Sequence, residues 1–186
     1  KKMKKIQLIL IIALLVTTNA IGQNFVTKTG HIKFYSETPI ETIEAHNHAV
    51  NSALNSESGE FVFKVLIKSF EFEKALMQEH FNENYMESDR YPNAMFKGKV
   101  ANASEIDFTR DGTYDAVVKG ELTIHGVTKE VEEKGTFTVK AGGIHAKSVF
   151  NVLLEDYEIK VPGAVKKQIS ESIEVTINVM LEEVKP

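Results

Sequence analysis

Six histidines, a surplus of carboxylates and a complete absence of cysteine set the chemistry open to this 186-residue chain. His46 and His48 stand two apart. On a strand, residues i and i+2 share a face, so the two imidazoles could hold a metal between them. Nothing near them in sequence supplies an obvious third ligand, and Ala45-His46-Asn47-His48 reads as a polar strand. A solvated or ladder-bonded pair is expected there, and no metal site. His125 precedes Gly126, where a polar turn residue is expected in any case. His80 falls on an apolar helical stripe, either as a satisfied, partly buried side chain or as a contact for a ligand headgroup. Most carboxylates alternate with apolar residues, which places them on the wet faces of strands rather than in acid–base pairs. The chain has no GxSxG elbow, no glycine-rich phosphate loop and no HExxH. No catalytic residue is expected.

The elements that must position these groups follow a period of two. Residues 59–70 put Phe61, Phe63, Val65 and Ile67 on one face and Lys64 and Lys68 on the other. Residues 113–125 align Tyr114, Ala116, Val118, Leu122 and Ile124; residues 129–141 align Val131, Phe137 and Val139. Residues 144–154 align Ile144, Ala146, Ser148, Phe150 and Val152, and 173–181 align Ile173, Val175, Ile177, Val179 and Leu181. Shorter strands are expected at 31–37, 43–54 and 94–107. Turn signals at 55–59, 110–112, His125-Gly126 and Gly142-Gly143 join neighbours by short connections, which implies antiparallel pairing. Seven or eight such strands with edges to hide suggest a closed or nearly closed barrel.

Two segments break the pattern. Residues 73–86 place Leu76, Met77, His80, Phe81, Asn84 and Tyr85 on one helical face. A second helical turn is expected at 164–170, after Pro162-Gly163. The inward stripe of Phe61, Phe63, Val65, Phe96, Phe137, Phe150, Val175, Ile177 and Val179 suits a packed core and an apolar ligand cavity equally. An eight-stranded barrel can be filled by side chains or hold one small ligand. Gly98, Ala116, Gly120, Gly135, Ala146 and Ser148 interleave with the stripe and would leave room beside the aromatics.

Residues 1–22 read as a secretory signal peptide, with Lys1, Lys2, Lys4 and Lys5 before an apolar run at 6–16 broken only by Gln7. That run is shorter than the ~20 residues needed to span a bilayer. Cleavage is expected before Gln23, leaving one domain at 23–186, in the periplasm or outside the cell, with no stable membrane anchor. Loss of the four lysines leaves 18 basic residues against 26 acidic ones, a net charge of −8. This balance argues against nucleic acid or anionic headgroups as main partners. An exported chain without cysteine has neither a disulfide framework nor a lipoprotein attachment point, and must rely on core packing.

Four segments resemble a known family. Residues 120–129 read GELTIHGVTK. Met77-Gln78-Glu79-His80-Phe81-Asn82 is followed by Tyr91-Pro92-Asn93-Ala94-Met95-Phe96, and a late DYEIKVPG segment covers 156–163. Their wording and order are similar to the YceI-like proteins over about 30–182. The resemblance implies an extended lipocalin-like barrel of eight antiparallel strands with one or two short helices near one end. It further implies an elongated apolar pore for a polyisoprenoid, an isoprenoid quinone or a fatty-acid derivative. It brings no fixed catalytic residue and no cofactor other than such a lipid. Family barrels can pair as homodimers, but no edge in this sequence identifies an interface. The lining expected from strand alternation is Phe61, Phe63, Val65, Ile67, Phe96, Val118, Phe137, Phe150, Val175, Ile177 and Val179. Met77, His80, Phe81, Asn82, Tyr85 and Tyr91 are expected at the mouth. Two other functions stay open: a stress-response or interaction module with a packed barrel, and an enzyme acting on a lipid headgroup at the mouth.

Overall fold

A computed structural model describes residues 23–184 of the chain; the basic and apolar leader at 1–22, read as a signal peptide, lies outside them. Alternating apolar residues form long strands: β1 (Asn24–Glu37), β2 (Thr42–Asn55), β3 (Glu60–Leu66), β5 (Asn93–Val100), β6 (Gly112–Ile124), β7 (Val127–Lys140), β8 (Gly143–Leu153) and β9 (Ser172–Glu183). A two-residue strand, β4 (Glu71–Phe72), pairs only with β2. The order is β1-β9-β8-β7-β6-β5-β3-β2, and β1 also pairs with β2, which closes the sheet into an eight-stranded barrel. Every pairing is antiparallel. Closure satisfies the edge hydrogen bonds that an open sheet would expose.

Two tight turns carry the backbone signature of type I′ hairpins, with left-handed φ at both central residues. At the β6–β7 turn these are His125 (φ 52°) and Gly126 (φ 77°). At the β7–β8 turn they are Ala141 (50°) and Gly142 (79°). The second turn therefore sits one residue before the Gly142-Gly143 pair that composition suggested, and Gly143 opens β8.

The helical segment is shorter and less regular than 73–86. It consists of α1 (Ala75–His80), continued by a π-helical turn over Phe81–Tyr85. Residues 164–170 form successive turns, with Val165 N–H bonded to the Pro162 carbonyl and Gln168 N–H to that of Val165, rather than a helix. Among the described residues no helix is long and apolar enough to cross a membrane.

The barrel interior has two halves. At one end Phe25, Leu54, Val100, Ile106, Phe108, Val139, Ile144 and Leu181 pack into a solid core. Phe61 of β3 and Phe137 of β7 meet edge to face across the lumen, their centroids 5.6 Å apart, and form its floor. On the outer wall at the β1–β2 seam, His31, His46 and His48 stack, with His31 centred 4.5 Å from His48 and 5.2 Å from His46. Burial first, then the two neighbouring imidazoles and Lys33, hold His31 below the usual histidine range.

Candidate functional site

Above the Phe61–Phe137 floor the barrel is hollow, with a cavity of about 320 Å³. That lies within the roughly 300–1,000 Å³ typical of ligand pockets. Its walls are the inward faces of the strands. Phe63, Val65 and Ile67 come from the β3 side, Phe96 from β5, Val118 from β6, Phe150 from β8, and Val175 and Ile177 from β9. Val118, Phe150, Val175 and Ile177 point inward yet remain only partly buried, because the space they face is empty. A packed barrel would have covered them.

Val179 is a correction. It shares the inward face of β9, but it is 1 % exposed within the packed end and does not line the cavity. Strand alternation assigns a face; it does not assign a depth along the barrel axis. The small residues also divide. Ala116, Gly135, Ala146 and Ser148 line the hollow, whereas Gly98 and Gly120 pair across β5 and β6 and do not. The Phe96 ring lies over Gly98, so a side chain there would strike it. Those two glycines permit a close strand crossing rather than a wider lumen.

The open end carries a ring of aromatics. Phe34, Phe70, Phe72 and Phe81 cluster with centroid separations of 5.0–5.5 Å. Met77, His80, Phe81 and Tyr85 of the helical segment reach the cavity, and burial pushes the Tyr85 phenol up. Asn82 and Tyr91, expected beside them, do not reach it. The Asn82 Nδ2 donates to the Gln78 carbonyl on the outer side of the helix, while its Oδ1 is buried without a partner among the described residues. Tyr91 packs against Gly126 and lies 4.7 Å, centre to centre, from His125. A loop over 158–171 completes the rim with Ile159, Val161, Val165 and Ile169. Ser36 Oγ accepts from Ser170 N–H at 2.9 Å and ties this loop to β1. Sequence reading missed these four. Their spacing at i, i+2 and i, i+4 was a signal, but no regular element carries it.

Polar lining residues were also missed, Ser36, Glu41 and Gln168 toward the rim and Glu133 on the wall. Glu133 of β7 follows Val131 by two and therefore shares its inward face. It pairs in register with Val118 and lines the cavity. Among the described residues it has no hydrogen bond or ion pair with another side chain, and burial pushes its carboxyl up. It stands where the wall divides: β7 and β8 pair only from Gly135–Ser148 to Lys140–Gly143, and beyond that the strands part. The resulting gap is closed by the turn Leu154–Tyr157. Lys129 Nζ reaches Asp156 at 3.4 Å, and His125 Nδ1 lies 3.2 Å from the Tyr157 carbonyl. Burial, then Asp156 and Glu133, raise the Tyr157 phenol.

Chemically this is an apolar hollow with the Glu133 carboxyl in its wall, and with Glu41, paired with Lys74, beside its aromatic rim. It can take up a long apolar group. It presents no nucleophile–base pair among the described residues.

The comparisons agree with this architecture. The chain matches the YceI-like domain over residues 19–181. UPF0312 proteins of Pseudomonas putida are similar to it: that of strain F1 is 33 % identical over 100 residues, covering 50 % of this chain and 47 % of the relative. The matched segment therefore spans about half the length of these relatives. Among solved structures, a polyisoprenoid binding domain from Saccharophagus degradans, implicated in plant cell wall breakdown, superposes with a TM-score of 0.74 at 14 % identity, covering 87 % of this chain and 98 % of that one. BcnA of Burkholderia cenocepacia gives 0.64 at 12 % identity over 82 % and 95 %. A Campylobacter jejuni YCEI protein gives 0.61 at 16 % over 76 % and 85 %. With a closed eight-stranded barrel, its hollow end and a family match over most of its length, the chain belongs to the YceI-like family.

Proposed function

We propose that this protein is an exported, non-catalytic binding protein that holds one long apolar lipid in its barrel, with a polyisoprenoid, an isoprenoid quinone or a fatty-acid derivative as the ligand class. The observation that carries the reading is the hollow half of the lumen: inward Val118, Val175 and Ile177 face space rather than one another. The Saccharophagus degradans neighbour, a polyisoprenoid binding domain on the same fold, supports the ligand class. The lysine-rich, apolar leader supports export to the periplasm.

Burying a tail gains ~0.8 kcal/mol per CH₂ relative to water. Relative to a membrane the gain is small, because the tail is already dry there. The barrel thus shields a tail in the aqueous phase and releases it again, as a carrier or buffer. Selectivity arises from tail length against the Phe61–Phe137 floor and from polar contacts at the rim and at Glu133.

Titration of delipidated protein with a fluorescent isoprenoid or a short-chain quinone tests this reading. Ile177 lines the hollow and packs against the edge of the buried core, so Ile177→Trp puts a large ring into the lumen. It is expected to weaken binding at least tenfold while circular dichroism stays unchanged. Equal binding by Ile177→Trp and the parent would remove the cavity from the account.

A further inference from the structure

The outer wall carries a site that the cavity does not use. We infer that His31, His46 and His48 form a three-imidazole site for a divalent transition ion of the zinc type, built across the β1–β2 seam. One coordinating nitrogen from each ring lies within 4.8 Å of the others. His46 and His48 share the outer face of β2, as their i, i+2 spacing requires. The third ring comes from the neighbouring strand, and a bulge delivers it. Ile32 pairs with Asn47 and Gly30 with Val50, so His48 and Ala49 together oppose His31. Such an insertion re-aims side chains at one spot of a sheet.

Support beneath the seam holds the backbone that carries these rings. Asn47, fully buried between the two histidines, donates through Nδ2 to the Leu66 carbonyl at 2.9 Å. Its Oδ1 accepts from Ala49 N–H at 2.9 Å, inside the bulge. Gly30, one residue before His31, packs so close to Val179 that a Cβ there would lie 2.6 Å from its Cγ1. The β1 backbone is thereby held against the barrel core just where His31 leaves it.

The hydrogen bonds already assign the nitrogens. Glu44 Oε1 lies 2.8 Å from His46 Nε2. The carboxylate can only accept, so His46 carries its proton on Nε2 and leaves a lone pair on Nδ1. His31 Nε2 lies 2.9 Å from that Nδ1 and donates to it. A metal takes the place of this shared proton. His31 then carries its proton on Nδ1 and coordinates through Nε2, His46 coordinates through Nδ1, and Glu44 remains bonded behind it. A carboxylate behind a metal-bound imidazole is the usual outer-shell arrangement at zinc. Among the described residues Lys33 is the cation that acts on His31, and its Nζ, 3.2 Å from Glu44, is already paired.

Zinc–imidazole bonds of about 2.0–2.1 Å place tetrahedral ligand atoms about 3.3 Å apart. The His48 ring, exposed and stacked on His31 at 14°, would rotate on binding so that its lone pair joins the other two. Three neutral imidazoles with a fourth position left to water suit zinc, and also copper or nickel, better than calcium or magnesium. A bound ion would join two strands at the seam where the sheet closes.

The test uses tag-free protein stripped with a chelator and titrated with Zn²⁺ by calorimetry, with thermal unfolding in parallel. One ion per chain and a midpoint that rises with Zn²⁺ are expected. His48→Gln, at an exposed position, and His31→Gln should each weaken binding at least tenfold with unchanged circular dichroism. Glu44→Gln should weaken it about 10–100-fold, as loss of an outer-shell partner does. His145→Gln, two strands away, should bind like the parent. No heat of binding, or a stoichiometric site that survives His48→Gln and His31→Gln, would overturn the assignment.

Discussion

Glu133 is the residue that most sharply distinguishes this lumen from a plain hydrocarbon pocket. Its carboxyl is pushed up by burial, so the fold penalises its charged form. The folded state then binds more protons than the unfolded chain between the ordinary glutamate value and the raised one. Stability from this group grows as pH falls through that window and is lost as pH rises through it. Glu133→Gln should therefore raise the thermal midpoint at pH 7–8 and leave it unchanged near pH 4; a gain at both would deny the desolvation account. The residue was legible as an inward position two after Val131, but its charge argued for the wet face. Depth and desolvation, not alternation, decide such cases. Gly126 is the second residue with a sharp consequence. Its φ is 77°, and a Cβ would strike the Tyr91 ring. The left-handed backbone alone costs a β-carbon roughly 1–2 kcal/mol. Gly126→Ala should destabilise the protein by about 2 kcal/mol or more in denaturant titration.

At the scale of elements, the β6–β7 hairpin does more than turn the chain. His125 at its tip lies 3.0 Å from Glu87 and 3.2 Å from the Tyr157 carbonyl, and Tyr91 packs beneath it. The segment GELTIHGVTK, the Tyr91-Pro92 segment and the late DYEIKVPG segment thus converge on one corner, where β7 and β8 part. The three segments are held together there by side-chain contacts. His125→Ala removes both polar contacts, each worth about 0.5–1.5 kcal/mol net. A loss of about 1–2 kcal/mol is expected, with faster amide exchange at 154–159 and little change in the packed end. The strands and their faces were readable where period-two patterning is unbroken, as in β3, β6 and β8; in β1, which starts at Asn24 rather than 31, and in β2, whose inward phase shifts between Asn47 and Val50, it is broken. The β1–β2 bulge was not. It needs a pairing between segments whose register no local pattern reports, and so the third imidazole, His31, stayed invisible beside His46 and His48. The π turn at Phe81–Tyr85 was similarly hidden, since its side chains keep a helix-like spacing.

The whole molecule is a barrel packed at one end and hollow at the other. Sequence pattern left a filled core and a ligand cavity equally open, and the structure holds both, divided at Phe61 and Phe137. That division is why Val179 and Ile177, two apart on one face, have different surroundings. It also sets a limit on any bound tail, which must end at the aromatic floor. The proposed carrier role depends on that hollow being occupied by lipid during the life of the protein. Native mass spectrometry of protein purified without added lipid, followed by organic extraction and identification of the released species, measures this directly. One long-chain lipid per barrel is expected, displaced by the Ile177→Trp substitution. Empty protein that also takes up no isoprenoid, quinone or fatty-acid derivative when offered them would contradict the carrier role.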